Sequence, residues 1–73
     1  MIIQKEENEA VKRAIEVAGG RKNFAAQVGC SLPLVSRYVA GDVPVSAKNA
    51  VRIERATGIT RGELRPDIFG PLK

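Results

Sequence analysis

Apolar residues recur at helical spacing along most of the chain, and the first such stretch lies near its beginning. Positions i, i+3, i+4 and i+7 of one face are apolar: Val11, Ala14, Ile15 and Ala18. Charged residues occupy most of the other positions, so the pattern predicts an amphipathic helix over residues 4–18. Gly19 and Gly20 follow directly, and we expect them to end this helix with a left-handed residue.

Two shorter helices are predicted next, over residues 21–28 and 32–40. The first of them has one apolar face, formed by Phe24, Ala25 and Val28. The second has another, formed by Val35 and Tyr38.

The residues between these two helices are typical of a helix-turn-helix. Gly29 tolerates the left-handed backbone that a tight turn requires, and Ser31 can cap the second helix with its hydroxyl oxygen. Ala25 is small enough to lie where the two helices cross. Residues 21–40 therefore predict a helix-turn-helix motif, and a generic helical hairpin is the alternative.

A fourth helix is predicted from a Ser46 cap to about Thr57. Its inward residues are expected to be Ala47, Ala50, Ile53 and Thr57, flanked by Val51 and Ala56. Gly58 is predicted to close the helix, with Ile59 making the apolar contact of a Schellman motif.

The last predicted element is a single helical turn over residues 61–65. Thr60 and Glu63 have the spacing of a capping box in front of it. The tail, residues 66–73, has no helical period, and no segment alternates long enough to predict a strand. The expected fold class is all-α, a bundle of four to five short helices.

Length and charge limit the function. The 73 residues allow one small domain, residues 1–73, without room for a deep substrate cleft. The net charge is +4, and residues 21–55 contain six basic and two acidic residues. This excess in and after the predicted motif favours an anionic partner such as a phosphate backbone.

Several chemistries are excluded or disfavoured by composition. The chain has no histidine and one cysteine, Cys30, so we expect no disulfide, no metal site and no cofactor. An enzyme is not expected, because no nucleophile and base or paired carboxylates are apparent. Cys30 is interpreted as a buried, inert thiol, with a redox switch as the alternative. No signal peptide or membrane span is recognised, so a cytoplasmic protein is expected.

The second helix of the motif is predicted to be the recognition helix. If Val35 and Tyr38 face the core, five residues point outward and can contact bases in the major groove: Leu32, Pro33, Ser36, Arg37 and Ala40. Arg37 is the strongest candidate, because an arginine can pair with guanine O6 and N7 through two hydrogen bonds. The alternative is that Arg37 is an ordinary solvated charge.

A second group of residues is predicted to contact DNA phosphates. They lie at the starts of the helices of residues 21–28, 32–40 and 47–57, where free backbone N–H groups favour anions. The candidates are Arg21, Lys22, Asn23, Ser31, Ser46, Lys48 and Asn49. Such contacts position a protein on the duplex without reading its sequence, and ordinary surface is the alternative for each.

Residues 10–69 resemble the small Cro-type phage repressors and, more closely, the YdaS-like prophage proteins, which include Cro-type regulators and proposed antitoxins. The resemblance rests on AVKRAIEVAGG, on Gly-Cys-Ser-x-Pro-x-Val-Ser-Arg-Tyr and on IERATGITRGELRPDIF. It implies a lambda-repressor-like bundle that binds a double-stranded DNA operator, usually as a homodimer, and represses transcription in a bacterial host. Relatives often have glutamine where this chain has Arg21 and Leu32, so a relative's operator cannot be transferred.

Three roles fit these expectations to different degrees. A DNA-binding repressor is the leading hypothesis. An antitoxin that neutralises a toxin partner protein and regulates its own promoter is the alternative, since both would use the same domain. A purely structural helical bundle is disfavoured by the basic recognition face.

A weak homodimer is predicted from the apolar residues that the core needs least. They are Ile2 and Ile3 at one end and Ile68, Phe69 and Leu72 at the other. The contact is expected to centre on Phe69, with DNA stabilising the pair. The alternative is that Ile68 and Phe69 cover the core of their own chain.

Overall fold

A computed structural model describes residues 7–69 of the chain. It contains six helices: α1 (Glu9–Ala18), α2 (Arg21–Val28), α3 (Leu32–Ala40), α4 (Ala47–Thr57), α5 (Arg61–Leu64) and α6 (Pro66–Phe69). Within this part of the chain there is no strand, and the all-α prediction is confirmed. Three of the apolar residues considered for a dimer contact, Ile2, Ile3 and Leu72, lie outside the described residues.

The first helix starts later than the sequence pattern predicted. Glu7 and Asn8 are not helical, and residues 4–6 lie outside the described range. Asn8 is the N-cap, because its side-chain oxygen accepts a hydrogen bond from the Val11 N–H at 3.1 Å. Its own backbone N–H donates to the Val39 carbonyl at 3.0 Å, which ties this end of α1 to α3.

The bounds of α2, α3 and α4 agree with the predicted ones, but one inward residue of α4 is wrong. Ala47 is exposed, whereas Ala50 and Ile53 are fully buried. The place predicted for Ala47 is taken by Val45, which precedes the Ser46 cap and is also fully buried. Val45 and Ala50 have the spacing of a hydrophobic staple, which turns the chain entering α4 toward the core.

The end of α4 is a simpler cap than the Schellman motif predicted for it. Gly58 has a positive φ, and its N–H donates to the Glu54 carbonyl at 2.8 Å. The next N–H, that of Ile59, donates to the Thr57 hydroxyl at 3.2 Å instead of reaching back to the helix. The Ile59 side chain still packs against the core, as expected.

The capping box at the start of α5 is confirmed. The Thr60 hydroxyl accepts from the Glu63 N–H, and the Glu63 carboxylate accepts from the Thr60 N–H, each at 3.2 Å. Both orphan N–H groups at this helix start are therefore satisfied within the turn.

The tail was predicted to lack helical structure, and this was wrong for Pro66–Phe69. The Arg65 carbonyl accepts from the N–H groups of Ile68 and Phe69 and closes one helical turn. The Arg65 guanidinium clamps that turn, donating to the Val45 carbonyl at 2.6 Å and to both Asp67 carboxylate oxygens. These hydrogen bonds hold the pKa of Asp67 below its usual value.

Phe69 packs partly against the core of its own chain. The Arg61 guanidinium lies over its ring, 5.4 Å from the centroid. The neighbouring Ile68 is 48% exposed. The intramolecular alternative is therefore favoured for Phe69, and among the described residues of the tail Ile68 is the large apolar side chain that is exposed to solvent.

One cluster of buried side chains joins helices α1 to α5. Its members are Ala10, Val11, Ala14, Phe24, Ala25, Val28, Val35, Tyr38, Val39, Val45, Ala50, Ile53 and Leu64. Phe24 and Ile53 are the largest that are fully buried. The buried faces of α2 and α3 pack against this core, so their opposite faces are exposed to solvent.

Candidate nucleic-acid interface

The turn between α2 and α3 has the geometry that the sequence predicted. Gly29 lies in the left-handed region, with φ 80° and ψ 36°, and its N–H donates to the Ala25 carbonyl at 2.8 Å. The Cys30 N–H donates to the same carbonyl at 3.1 Å. Two hydrogen bonds to one oxygen fix the direction in which the chain leaves α2.

A contact from α4 that the sequence did not reveal supports this turn. The Arg52 guanidinium donates to the Val28 carbonyl at 3.4 Å, close to the end of α2. A cation is favoured at this end, since the last carbonyls of a helix carry partial negative charge. Arg52 therefore stabilises the turn. The sequence does not indicate this role, because Arg52 and Val28 are 24 residues apart.

The predicted start of α3 is confirmed. The Ser31 hydroxyl accepts a hydrogen bond from the Leu34 N–H at 3.3 Å, so this serine is the cap. Pro33 lies in the first turn, where its missing N–H leaves no helical hydrogen bond unmade. The Ser31 hydroxyl oxygen, predicted to contact phosphate, is thus used as the acceptor of this capping hydrogen bond.

The face of α3 that points away from the core is the one predicted to read DNA. Val35 and Tyr38 are buried as expected, and Val39, which was not among the predicted inward residues, is buried as well. All five predicted base-contacting residues are exposed: Leu32, Pro33, Ser36, Arg37 and Ala40. Leu32 is 47% exposed, so a large apolar side chain stands at the start of this helix.

Two of the predicted phosphate-contacting residues, both asparagines, donate their side-chain amides to acceptors within the chain. Asn49 is half-buried, and its amide donates to the Tyr38 hydroxyl at 2.9 Å, joining α4 to α3. The Asn23 amide donates to the Gly19 carbonyl at 3.2 Å, at the end of α1. Their roles within the fold are visible only in three dimensions.

The other candidates at the helix starts are exposed. Arg21 donates from Nη1 to the Ser36 hydroxyl oxygen at 3.1 Å, which brings the start of α2 next to the middle of α3. Lys22 and Lys48 are exposed on the surface. The Ser46 hydroxyl caps α4 by accepting from the Asn49 N–H at 3.1 Å.

Positive charges are divided sharply between two parts of the surface. Lys12, Arg13, Arg61 and Arg65 form ion pairs with neighbouring carboxylates, and they belong to α1, α5 and the α5–α6 junction. The six basic residues of α2, α3 and α4 form no ion pair with any carboxylate of residues 7–69: Arg21, Lys22, Arg37, Lys48, Arg52 and Arg55. Among residues 7–69, the helix-turn-helix and α4 thus carry the basic side chains that have no carboxylate partner.

This arrangement can attract and position a polyanion. An unpaired cation needs to break no existing ion pair before it binds a phosphate, whereas a paired one must lose its carboxylate. Glu54 is one of the two acidic residues between positions 21 and 55, and it pairs with Arg61 of α5 at 3.4 Å. Glu54, although it lies on α4, therefore pairs with a cation of α5 and not with one of α2, α3 or α4.

Other kinds of site find less support in the described part of the chain. Cys30 is half-buried and not fully buried as expected, but this partial burial raises the pKa of its thiol and favours the unreactive protonated form. Residues 7–69 contain no cluster of three or more histidine, cysteine, aspartate or glutamate side chains that could hold a metal ion. None of the described helices is long and apolar enough to cross a membrane.

Comparison with known proteins gives one match. The model of a family described as bacterial toxin YdaS matches residues 11–72, which is most of the chain. Searches of curated proteins and of solved structures found no match. The family match confirms the resemblance to YdaS-like proteins that the sequence motifs indicated.

Proposed function

The chain belongs to the bacterial toxin YdaS family, and we propose that it acts as a sequence-specific DNA-binding regulator, a Cro-like repressor of phage or prophage origin. The observation that carries this proposal is the charge distribution. All six basic residues of α2, α3 and α4 lack carboxylate partners among the described residues, and three of them lie within the helix-turn-helix and three on the helix that follows it. In that motif the second helix enters the major groove while the first crosses the backbone.

The proposed reading helix is α3. Arg37 supplies the strongest hydrogen-bonded discrimination, and Leu32 and Ala40 offer apolar contact to thymine methyl groups. Arg37 is the one long polar side chain on this face, so few hydrogen bonds to base edges are available. The shape of the DNA would therefore carry part of the specificity. We propose binding rather than catalysis, because the chain has no histidine and its sequence shows no nucleophile and base or paired carboxylates. We also propose that this binding requires no cofactor.

The proposal is tested by selecting bound duplexes from random DNA at stated salt. We expect a defined sequence, arranged as two related half-sites about one helical turn apart. Recovery of unrelated sequences at equal affinity would contradict sequence-specific binding. No recovery of DNA at low salt would contradict the nucleic-acid interface altogether.

Replacing Lys22 by alanine is expected to weaken binding to all sequences alike. Each phosphate contact that is lost should flatten the slope of log K against log salt by roughly one unit. Titrations of the selected duplex at several salt concentrations measure this slope for wild type and variant.

The matched control is Arg13→Ala. Arg13 is an exposed cation of α1 whose guanidinium pairs with the Glu63 carboxylate at 3.1 Å. We expect its removal to leave the salt slope unchanged, because it lies outside the basic helices. Equal slopes for wild type and Lys22→Ala would remove the start of α2 from the interface.

We also infer that two chains bind DNA together as a weak homodimer. One helix-turn-helix reads about half of a site, and a two-fold pair doubles the phosphate contacts. The exposed Ile68 side chain supports an apolar contact near the end of α6. Phe69 packs on the core of its own chain, so the support for this contact comes from Ile68.

Two neighbouring substitutions separate assembly from folding. We expect Ile68→Ala to reduce the dimer fraction in sedimentation with operator DNA while leaving the melting temperature near that of wild type. Phe69→Ala should lower the melting temperature, since it removes a ring that packs against the core. A wild-type monomer that binds DNA without cooperativity would contradict the homodimer.

The antitoxin alternative gains no support from the family, which is described as a toxin. Expression of the chain alone in a bacterial host distinguishes the roles. An antitoxin would be harmless alone and would co-purify with a toxin partner in its native setting. A DNA-binding regulator without an antitoxin role would change transcription in a way that depends on Arg37 and would co-purify with no toxin.

A further inference from the structure

The hydrogen bond between Arg21 and Ser36 has a fixed direction. A guanidinium has donors and no acceptor, so the Ser36 oxygen must accept from Arg21 Nη1, and the distance is 3.1 Å. Both side chains are exposed. The Ser36 hydroxyl donates its own proton to no residue in the described range 7–69.

This bond changes what Ser36 can recognise. A free serine hydroxyl donates or accepts, and is therefore weakly selective among base edges. Next to a guanidinium, its proton turns away from the positive charge, and a second N–H donor is repelled from its oxygen. The hydroxyl is thus biased to donate toward an acceptor outside the protein.

We propose that Arg21 and Ser36 read one base pair together, an inference that rests on the proposed DNA-binding function. Ser36 donates to a major-groove acceptor, either a purine N7, guanine O6 or thymine O4, and disfavours the amino groups of adenine and cytosine. Arg21 is the positioning residue that orients this hydroxyl. It thereby takes part in specificity, beyond the phosphate contact expected at the start of α2.

The same guanidinium also links the backbone contact to the base contact. Arg21 keeps further N–H groups that can donate to a phosphate oxygen while Nη1 holds Ser36. Because α2 crosses the backbone and α3 lies in the groove, one side chain then fixes their relative register on the duplex. A lysine or arginine that touched phosphate alone would help to position the chain but would not connect that contact to a base pair.

A double-mutant cycle tests the proposal. The full chain as wild type, Arg21→Ala, Ser36→Ala and the double variant are titrated against the selected duplex, with all four base pairs placed in turn at every position of a half-site. We expect both single variants to flatten the preference at the same base pair, by about fivefold. The double variant should flatten that preference no further.

Lys22→Ala is the matched control, since Lys22 is the next residue of α2 and forms no ion pair with a described carboxylate. It should lower affinity for every duplex and leave each base preference intact. If Arg21→Ala behaves as Lys22→Ala does, or if the two single variants act at different base pairs, the coupled reading is wrong.

Stability measurements exclude a merely structural bond. Because both side chains are exposed, we expect the single variants to melt close to wild type. A lower melting temperature with unchanged base preferences would assign the bond to the fold alone and overturn the inference. Equal affinity of the wild type for all duplexes would instead overturn the proposed function itself.

Discussion

Replacing Arg37 by alanine is expected to weaken binding to the selected duplex by about 1–3 kcal/mol and to relax the preference at one base pair in each half-site. Arg37 is exposed on the outward face of α3 and forms no ion pair with a carboxylate of residues 7–69. Its guanidinium is therefore available to pair with guanine through two hydrogen bonds. Anisotropy titrations at one fixed salt concentration, with each base pair varied in turn, measure both effects.

Arg55→Ala is the control for Arg37→Ala. Arg55 is also exposed and lacks a carboxylate partner among the described residues, but it belongs to the last turn of α4. Its removal should alter no base preference. Equal weakening of all sequences by Arg37→Ala would make Arg37 a phosphate contact, and no weakening would make it the solvated charge that the sequence left as an alternative.

The helix-turn-helix was predictable because its determinants are local. Gly29 and Ser31 act through hydrogen bonds to residues within four positions along the chain, to Ala25 and Leu34. Apolar residues at helical spacing orient α2 and α3 over the same short range. Sequence periodicity and capping chemistry are sufficient for such elements.

Two short signals in the sequence, and not helical period, mark where α1 and α6 begin. Asn8 precedes the first turn of α1 and is a preferred N-cap residue, so the helix starts there. Pro66 followed by Asp67 is a typical helix start, since proline suits the first position and an acidic residue suits the first turn. Helical period is recognised over a long stretch, so it does not detect signals that span only one or two residues.

The contacts that organise the candidate interface could not be predicted, because they join residues far apart in sequence. Asn49 reaches Tyr38, Arg52 reaches the carbonyl of Val28, and Arg21 reaches Ser36. Each depends on where a flexible polar side chain lies after the helices have packed. Helical periodicity gives the face on which a residue lies but not its partner on another helix.

The charge distribution was predictable in part. Composition placed the basic excess in residues 21–55, but it could not show which cations are neutralised. Folding pairs Arg13 with Glu63 and Arg61 with Glu54, across helices that are separate in sequence. The unpaired cations of α2 to α4 are thus a property of the packed chain.

The second large effect is expected at the turn. Gly29 adopts φ 80°, where a residue with a branched Cβ is strained whatever space surrounds it. A Cβ at this position would lie 3.4 Å from Arg52 Nη1, a contact that a flexible arginine can relieve by moving. The backbone strain is therefore the main cost, and displacement of Arg52 from the Val28 carbonyl adds to it.

Gly29→Val is accordingly expected to lower the free energy of unfolding by about 1–3 kcal/mol, which should lower the melting temperature by at least about 4 °C. Thermal unfolding followed by circular dichroism measures this shift. Gly29→Asn should cost less, because asparagine tolerates the left-handed region better than a β-branched residue. Ala26→Val, on the exposed side of α2, controls for the added side chain in ordinary helical backbone and should cost less than about 1 kcal/mol. A Gly29→Val variant that melts with the wild type would show that the turn does not require positive φ at this position.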